Sequence, residues 1–280
     1  MSSFRNPNFL CIGFPRSGTT WLDAVLSSHP QIQLPEKKKE IHYFNIYHHL
    51  GEEWYLKYFP ATETNPVAVG EVSPLYVYSE VASRRIAEFG SIKKFIVMLR
   101  DPVSHFVSAY QFYMRYYPGV ADRAYFLRRY ESAFFGLRLH FHLNEFMEPF
   151  DREQFLFVTK DELDTDANAV LGNLGKFLGV DEQGFDTGVA AERHSWAQAP
   201  RFRFLYDRAR GLRDRWAPHL EWSSLVEQRL SYMRPMFFRP HEAAPDWLLE
   251  ELRLRRDRIN ADTSRLAELI GRDLSSWEIK

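Results

Sequence analysis

FLCIGFPRSGTTWL, residues 9–22, decides how the chain is read: a short apolar run of strand type, a turn containing Gly13, Pro15, Ser17 and Gly18, then the opening of a helix. Four residues separate Gly13 from Gly18, and Thr19 and Thr20 follow, which is the skeleton of a phosphate-binding P-loop. The first N–H groups of a helix have no partner within it and carry the positive end of its dipole. An anion seated there supplies both acceptors and compensating charge. Gly18 lets the backbone approach such a ligand closely, and two hydroxyls follow it. Where a nucleotide-hydrolysing loop carries Lys before its Ser/Thr, this one carries Thr19, and its basic residue is Arg16, inside the turn. That argues against an ordinary Mg-ATP site.

Outward from the loop, KKFIVMLRDPVSHFVSAY (93–110) is the second informative stretch. It reads as a continuous apolar strand of the buried parallel type ending at Arg100, then a helix capped by Asp101 with Pro102 at its start. Ligands of open α/β sheets gather at the carboxyl ends of the strands, so Arg100 is well placed for one.

FPRSGTTWL resembles the 5′-phosphosulfate loop of sulfotransferases that use 3′-phosphoadenosine 5′-phosphosulfate (PAPS), written there as PKSGTTW or PRSGTT. The resemblance implies a P-loop-like three-layer α/β/α fold with a central parallel sheet. It also implies that Arg16, Ser17, Gly18, Thr19 and Thr20 hold the 5′-phosphate and leaving oxygens, with Trp21 stacking on adenine. Arg100 and Ser108, eight positions apart, match the family's 3′-phosphate motif, and His105 takes a place often filled by Arg or Lys. A basic loop further on closes over the donor in the family; Arg193, Arg201 and Arg203 are the candidates here, Arg201 chosen among them.

EKKKEIHYFN (36–45) is by itself a charge run of the kind that solvates a loop, but KEIHYFN resembles the KE-x-HFF segment of glycosaminoglycan-type sulfotransferases. There the Glu is the proposed catalytic base, which corresponds to Glu40. An acceptor hydroxyl must lose its proton as it attacks sulfur, and an ordinary carboxylate is already ionised at neutral pH. His42 competes, because small-molecule sulfotransferases use a histidine. On an extended segment Glu40 and His42 would face one side, and their spacing does not choose between them.

The related carbohydrate enzymes read GEKSP where this chain has GEVSP, with Lys at the Val72 position. Val72 supplies no charge, which argues against an anionic polysaccharide acceptor, while Glu71 and Ser73 stand as cleft candidates. His140 and His142, two apart on a helical stretch, point to different faces and make a poor metal pair. Residues 20–28, 51–60, 102–110 and 167–178 read as helices, 67–79 as a strand entering a loop, 153–163 as a strand, 181–200 as loop, and the last 33 residues as amphipathic helix.

With 280 residues, 45% of them apolar, the chain is long enough for one sizeable core, and a single domain over 1–280 is expected. A net charge of −1 advertises no nucleic-acid field, so any basic site must be local. One cysteine, Cys11, excludes an internal disulfide. The first residues lack a signal peptide's basic and apolar regions and no run reaches the roughly 18–20 apolar residues of a membrane span, so a cytoplasmic protein is expected. The leading expectation is transfer of a sulfuryl group from PAPS, without a metal, to a hydroxyl or amine of a carbohydrate or small-molecule acceptor. A P-loop kinase and a catalytically idle nucleotide-binding protein are the alternatives.

Overall fold

The computed structural model describes residues 4–35, 38–116, 123–124, 126–128, 137–191, 198–200, 238–240 and 245–280. Its centre is a five-stranded parallel sheet of β1 (Phe9–Gly13), β2 (Ile32–Gln33), β3 (Ala68–Val72), β4 (Lys94–Leu99) and β5 (Phe155–Thr159), in the order β2-β3-β1-β4-β5. Every residue of β1 and β3 is buried. Helices cover both faces, which is why these strands are written as near-continuous apolar runs.

Alternation along the strands sorts the core into two layers. Leu10, Ile12, Val69, Phe95, Val97, Phe155 and Phe157 face one side. There they meet α3 (Glu80–Phe89), α5 (Leu139–Met147) and α10 (Arg256–Ile270) through Ile86, Leu143, Phe146 and Leu266. Phe9, Cys11, Ala68, Val72, Ile96, Met98 and Val158 face the other. Their partners are α1 (Thr19–Ser27) and α7 (Ala167–Leu178), through Leu22, Val25, Leu26, Leu171 and Leu174. A third cluster joins α4 (Pro102–Tyr116) to α9 (Asp246–Leu254) through Phe106, Leu248 and Leu252. The expected three-layer α/β/α architecture is the one observed.

The remaining described elements are α2 (Glu52–Leu56), α6 (Lys160–Thr165), α8 (Thr187–Ala191) and an antiparallel pair, β6 (Gln198–Pro200) with β7 (Phe238–Pro240). Three expectations are corrected. The strand expected over 153–163 stops at Thr159, where the Thr159 hydroxyl accepts from Glu162 N–H and the Glu162 carboxylate accepts from Thr159 N–H, a capping box that starts α6. The expected loop over 181–200 contains α8, whose first turn is closed by Asp186 accepting from Gly188 and Val189 N–H, and also β6. The amphipathic tail is two helices rather than one, α9 and α10, parted at Arg255. Among the described residues no helix is long and apolar enough to cross a membrane.

β1 has β3 on one side and β4 on the other, so successive crossovers leave it in opposite directions. The turn after β1 therefore opens at the topological switch point, where a parallel sheet offers a crevice beyond its carboxyl ends.

Candidate active site

The turn from β1 to α1 is built for a ligand that its own atoms do not replace. A Cβ on Gly13 would stand 2.7 Å from Val77 Cγ1, so only glycine lets the end of β1 pass this close. Gly18, at φ 99°, is the residue before α1, and no side chain caps the helix there. Gly18 therefore offers the first turn of α1 no capping side chain, the arrangement that receives anions. Ser17 is buried, and its hydroxyl has no partner among the described residues.

Strand β4 and helix α4 grip this turn from the side. Arg100, just past β4, donates from Nη1 to the Arg16 carbonyl at 3.2 Å, while its Nε is buried and unpartnered among the described residues. Burial pulls the Arg100 guanidinium below the ordinary arginine pKa, and no carboxylate among the described residues is paired with it. Asp101, the obvious surface partner, is occupied in accepting from Ser104 N–H at 2.7 Å and caps α4 as expected. Arg16, at φ 69°, donates from Nε to Ser108 Oγ at 3.1 Å, with its guanidinium 5.0 Å from the Phe112 ring centre. Arg16, Ser17, Gly18, Arg100 and Ser108 thus form one cluster. A buried hydroxyl and a half-buried guanidinium whose Nε has no partner among the described residues fit an anionic group such as phosphate.

His105 does something the sequence reading missed. It is fully buried, and its Nε2 lies 2.9 Å from the Pro15 carbonyl, which holds the turn against α4. Burial pushes its pKa down to about 4, so it is neutral at pH 7 and is no substitute for the Arg or Lys of related sequences.

Glu40 and His42 are brought together, but not on an extended segment. Both have positive φ, 60° and 61°, and a five-residue π-helical turn (Tyr43–Tyr47) follows directly. His42 Nε2 is 3.6 Å from Glu40 Oε2, and His42 Nδ1 is buried without a partner among the described residues. Lys39 joins this pair to the phosphate turn: its Nζ donates to the Thr19 carbonyl at 3.2 Å and to Thr20 Oγ1 at 3.3 Å. The charge run by itself does not single out Lys39 for this contact. Lys38 turns the other way, its Nζ 4.9 Å from the Tyr47 ring centre and within 5.8 Å of those of Trp54 and Tyr58.

Two other expectations change. Glu71 and Ser73 do not line a cleft; both are fully buried and bonded to each other at 2.5 Å. Trp21 packs in the layer between α1 and the sheet with 6% of its surface exposed, leaving little of the ring for adenine. Val72 lies in the same layer, so the position is apolar packing. Cys11 is buried, with its thiol pushed up to about 12, and is chemically quiet. His142 stacks edge-on against Tyr78 at 4.8 Å. No group of three or more His, Cys, Asp or Glu among the described residues is placed to hold a metal ion. Arg193, Arg201 and Arg203 lie outside the described residues.

Known proteins are similar to this chain in sequence and fold. Heparan sulfate glucosamine 3-O-sulfotransferase 6 of Mus musculus is 27% identical over 251 residues, 84% of this chain and 70% of its own. A membrane-associated sulfotransferase of Dictyostelium discoideum is 43% identical over 108 residues, which are 38% of this chain. The match spans only 23% of that protein's length, and only 32% of a bifunctional heparan sulfate N-deacetylase/N-sulfotransferase of Caenorhabditis briggsae. Among solved structures, a sulfotransferase from Alicyclobacillus acidocaldarius superposes with a TM-score of 0.66 at 25% identity, covering 98% of this chain and 99% of that one. The sulfotransferase domain family matches residues 6–194, from before β1 to beyond α8, and the chain belongs to that family.

Proposed function

We propose that this chain transfers a sulfuryl group from PAPS to a hydroxyl or amine of a carbohydrate or small-molecule acceptor. The observation that carries the reading is one turn, Gly13 to Gly18, which sets the open N-terminus of α1, the unpartnered Ser17 hydroxyl and the Arg16–Ser108–Arg100 cluster beside a Glu–His pair tied to it by Lys39. The turn, Ser17, Thr19 and Thr20 receive the donor's 5′-phosphate; Arg100 and Ser108 receive its 3′-phosphate. The acceptor oxygen or nitrogen forms the new bond to sulfur while the bond from sulfur to the bridging phosphate oxygen breaks. The acceptor proton passes to Glu40, and His42 fixes the carboxylate from 3.6 Å. Negative charge left on adenosine 3′,5′-bisphosphate is met by Arg16 and by the helix N-terminus, both in place before the reaction begins.

The related enzymes named for heparan sulfate make a carbohydrate acceptor the natural first class to test. The apolar packing of Val72 favours one without a dense array of anionic groups. The experiment is incubation of a library of sugars, phenols and amines with PAPS, followed by intact mass analysis. A gain of one sulfuryl group on a library member, with release of adenosine 3′,5′-bisphosphate, supports the reading; donor that stays intact against every class contradicts it.

A further inference from the structure

Glu71 is a carboxylate where an apolar residue would serve packing better. It is fully buried on β3, on the face shared with Val69, in a layer walled by Ile41, Phe44, Tyr55 and Tyr76. Four groups donate to it: Ser73 Oγ at 2.5 Å, Tyr76 OH at 2.8 Å, Tyr55 OH at 3.0 Å and the Ile41 backbone N–H at 3.1 Å. None of them is a cation. Burial raises its pKa and the four hydrogen bonds oppose that rise. A buried carboxylate held only by neutral donors is costly to keep, so its place calls for a reason.

The reason lies in what it holds. Ile41 sits between Glu40 and His42, the two residues forced to positive φ. An L-residue in that conformation is strained and persists only where the surroundings fix it. Glu71 fixes it twice, directly at Ile41 N–H and through Tyr76, whose hydroxyl also accepts from Phe44 N–H at 3.5 Å. The two anchored N–H groups flank His42. Tyr55, the remaining tyrosine donor, stacks on Tyr43 at 4.6 Å between ring centres, which braces the turn that follows.

We propose that Glu71 is a positioning residue for proton removal: through Ile41 and Tyr76 it holds the Glu40–His42 pair in the left-handed geometry that faces the phosphate turn. This rests on the reading of that pair as the proton acceptor given above. It assigns Glu71 no contact with donor or acceptor.

Two measurements test it. Amide exchange followed by mass spectrometry on Glu71→Gln, in the full chain, should show at least about tenfold faster exchange over residues 38–47 and unchanged exchange over 9–22. Unchanged exchange over 38–47 overturns the proposal. Turnover is then measured with 35S-labelled donor and the acceptor returned by the library, with affinity for adenosine 3′,5′-bisphosphate read by calorimetry. Glu71→Gln should lower kcat about 10-fold or more with donor affinity within about twofold, and should cost less than about twofold when added to Glu40→Gln, because the residue it positions is gone. The full factor persisting in both Glu40→Gln and His42→Asn backgrounds would mean a general packing role and would overturn it. If Glu40→Gln and His42→Asn alone each keep wild-type turnover, the proton-acceptor reading itself has failed and the positioning role falls with it. Should Glu71→Gln not fold, Tyr76→Phe removes one donor to Glu71 together with the link to Phe44, leaves the Ile41 anchor in place, and should give the same pattern at about threefold; wild-type kcat and exchange in that variant would contradict the proposal.

Discussion

Arg100 Nε and Ser17 Oγ are buried without a partner among the described residues, a cost that the proposed anion would recover. Charge-assisted hydrogen bonds contribute about 1.5–3 kcal/mol each, so Arg100→Ala should weaken adenosine 3′,5′-bisphosphate by tenfold or more. Adenosine 5′-phosphate should lose much less, which calorimetry of the two ligands side by side reads directly; equal losses would remove Arg100 from the 3′-phosphate. Glu40→Gln keeps shape and one acceptor oxygen but takes no proton, so turnover should fall by about 10²–10⁴ with donor affinity intact. A near-normal Glu40→Gln beside an inactive His42→Asn would transfer the role to the histidine. Several of these residues were legible in the sequence because a basic residue, a serine and a glycine between a strand and a helix form the pattern expected of an anion site: Arg16, Ser17 and Gly18. Lys39, His105 and Glu71 were not, because what each does depends on a backbone atom supplied by a distant segment: the Thr19 carbonyl, the Pro15 carbonyl and the Ile41 N–H.

At the level of elements, strands and helices with strong local signals came out where their residues put them. The helix expected over 167–178 is α7 to the residue, opened by Asp166 accepting from Ala169 N–H and closed by Gly179 at φ 79°. The errors fall where a tertiary contact overrides the pattern. The left-handed backbone at Glu40 and His42 cannot be read from KEIHYFN, since glutamate does not favour it, histidine does not require it, and the anchors come from β3 and the turn after it. The end of β5 was readable, because TKDE is a Thr-x-x-Glu capping box, yet the apolar run before it invited too long a strand. That box is tied to the C-terminal segment by an ion pair between Glu162 and Arg272, and Arg272 Nη2 donates to the Phe157 carbonyl at 3.0 Å. Thr159→Val should therefore cost about 0.5–2 kcal/mol in urea unfolding. Gly18→Ala, forced to hold φ near 99°, should cost about 1–2 kcal/mol and weaken anion binding together with stability. A Gly18→Ala protein with unchanged stability would show that the turn relaxes.

For the whole molecule, the fold brings one crevice to the switch point beside β1 and leaves the chemistry to the turns around it. It also sets a pH dependence. His105, folded, titrates at about 4 against an ordinary histidine near 6.5, so between those values the unfolded chain binds the proton that the folded chain refuses. Stability is then fully present above pH 6.5 and falls as pH drops toward 4, by about 2–3 kcal/mol from this residue. Urea midpoints at pH 7 and pH 5 should show the decline, and His105→Gln should make it shallower while lowering stability at pH 7, the remaining slope coming in part from His142, which burial also pushes down to about 4. An equal slope in wild type and variant would place the effect elsewhere. The central claim, that the turn after β1 receives a 3′,5′-bisphosphorylated adenosine and not a magnesium nucleotide, is tested most directly by calorimetric titration of the full chain with adenosine 3′,5′-bisphosphate and with ATP plus magnesium. The account predicts saturable binding of the bisphosphate without added metal and at least about tenfold weaker binding of ATP; ATP with magnesium binding as tightly or more tightly would contradict it.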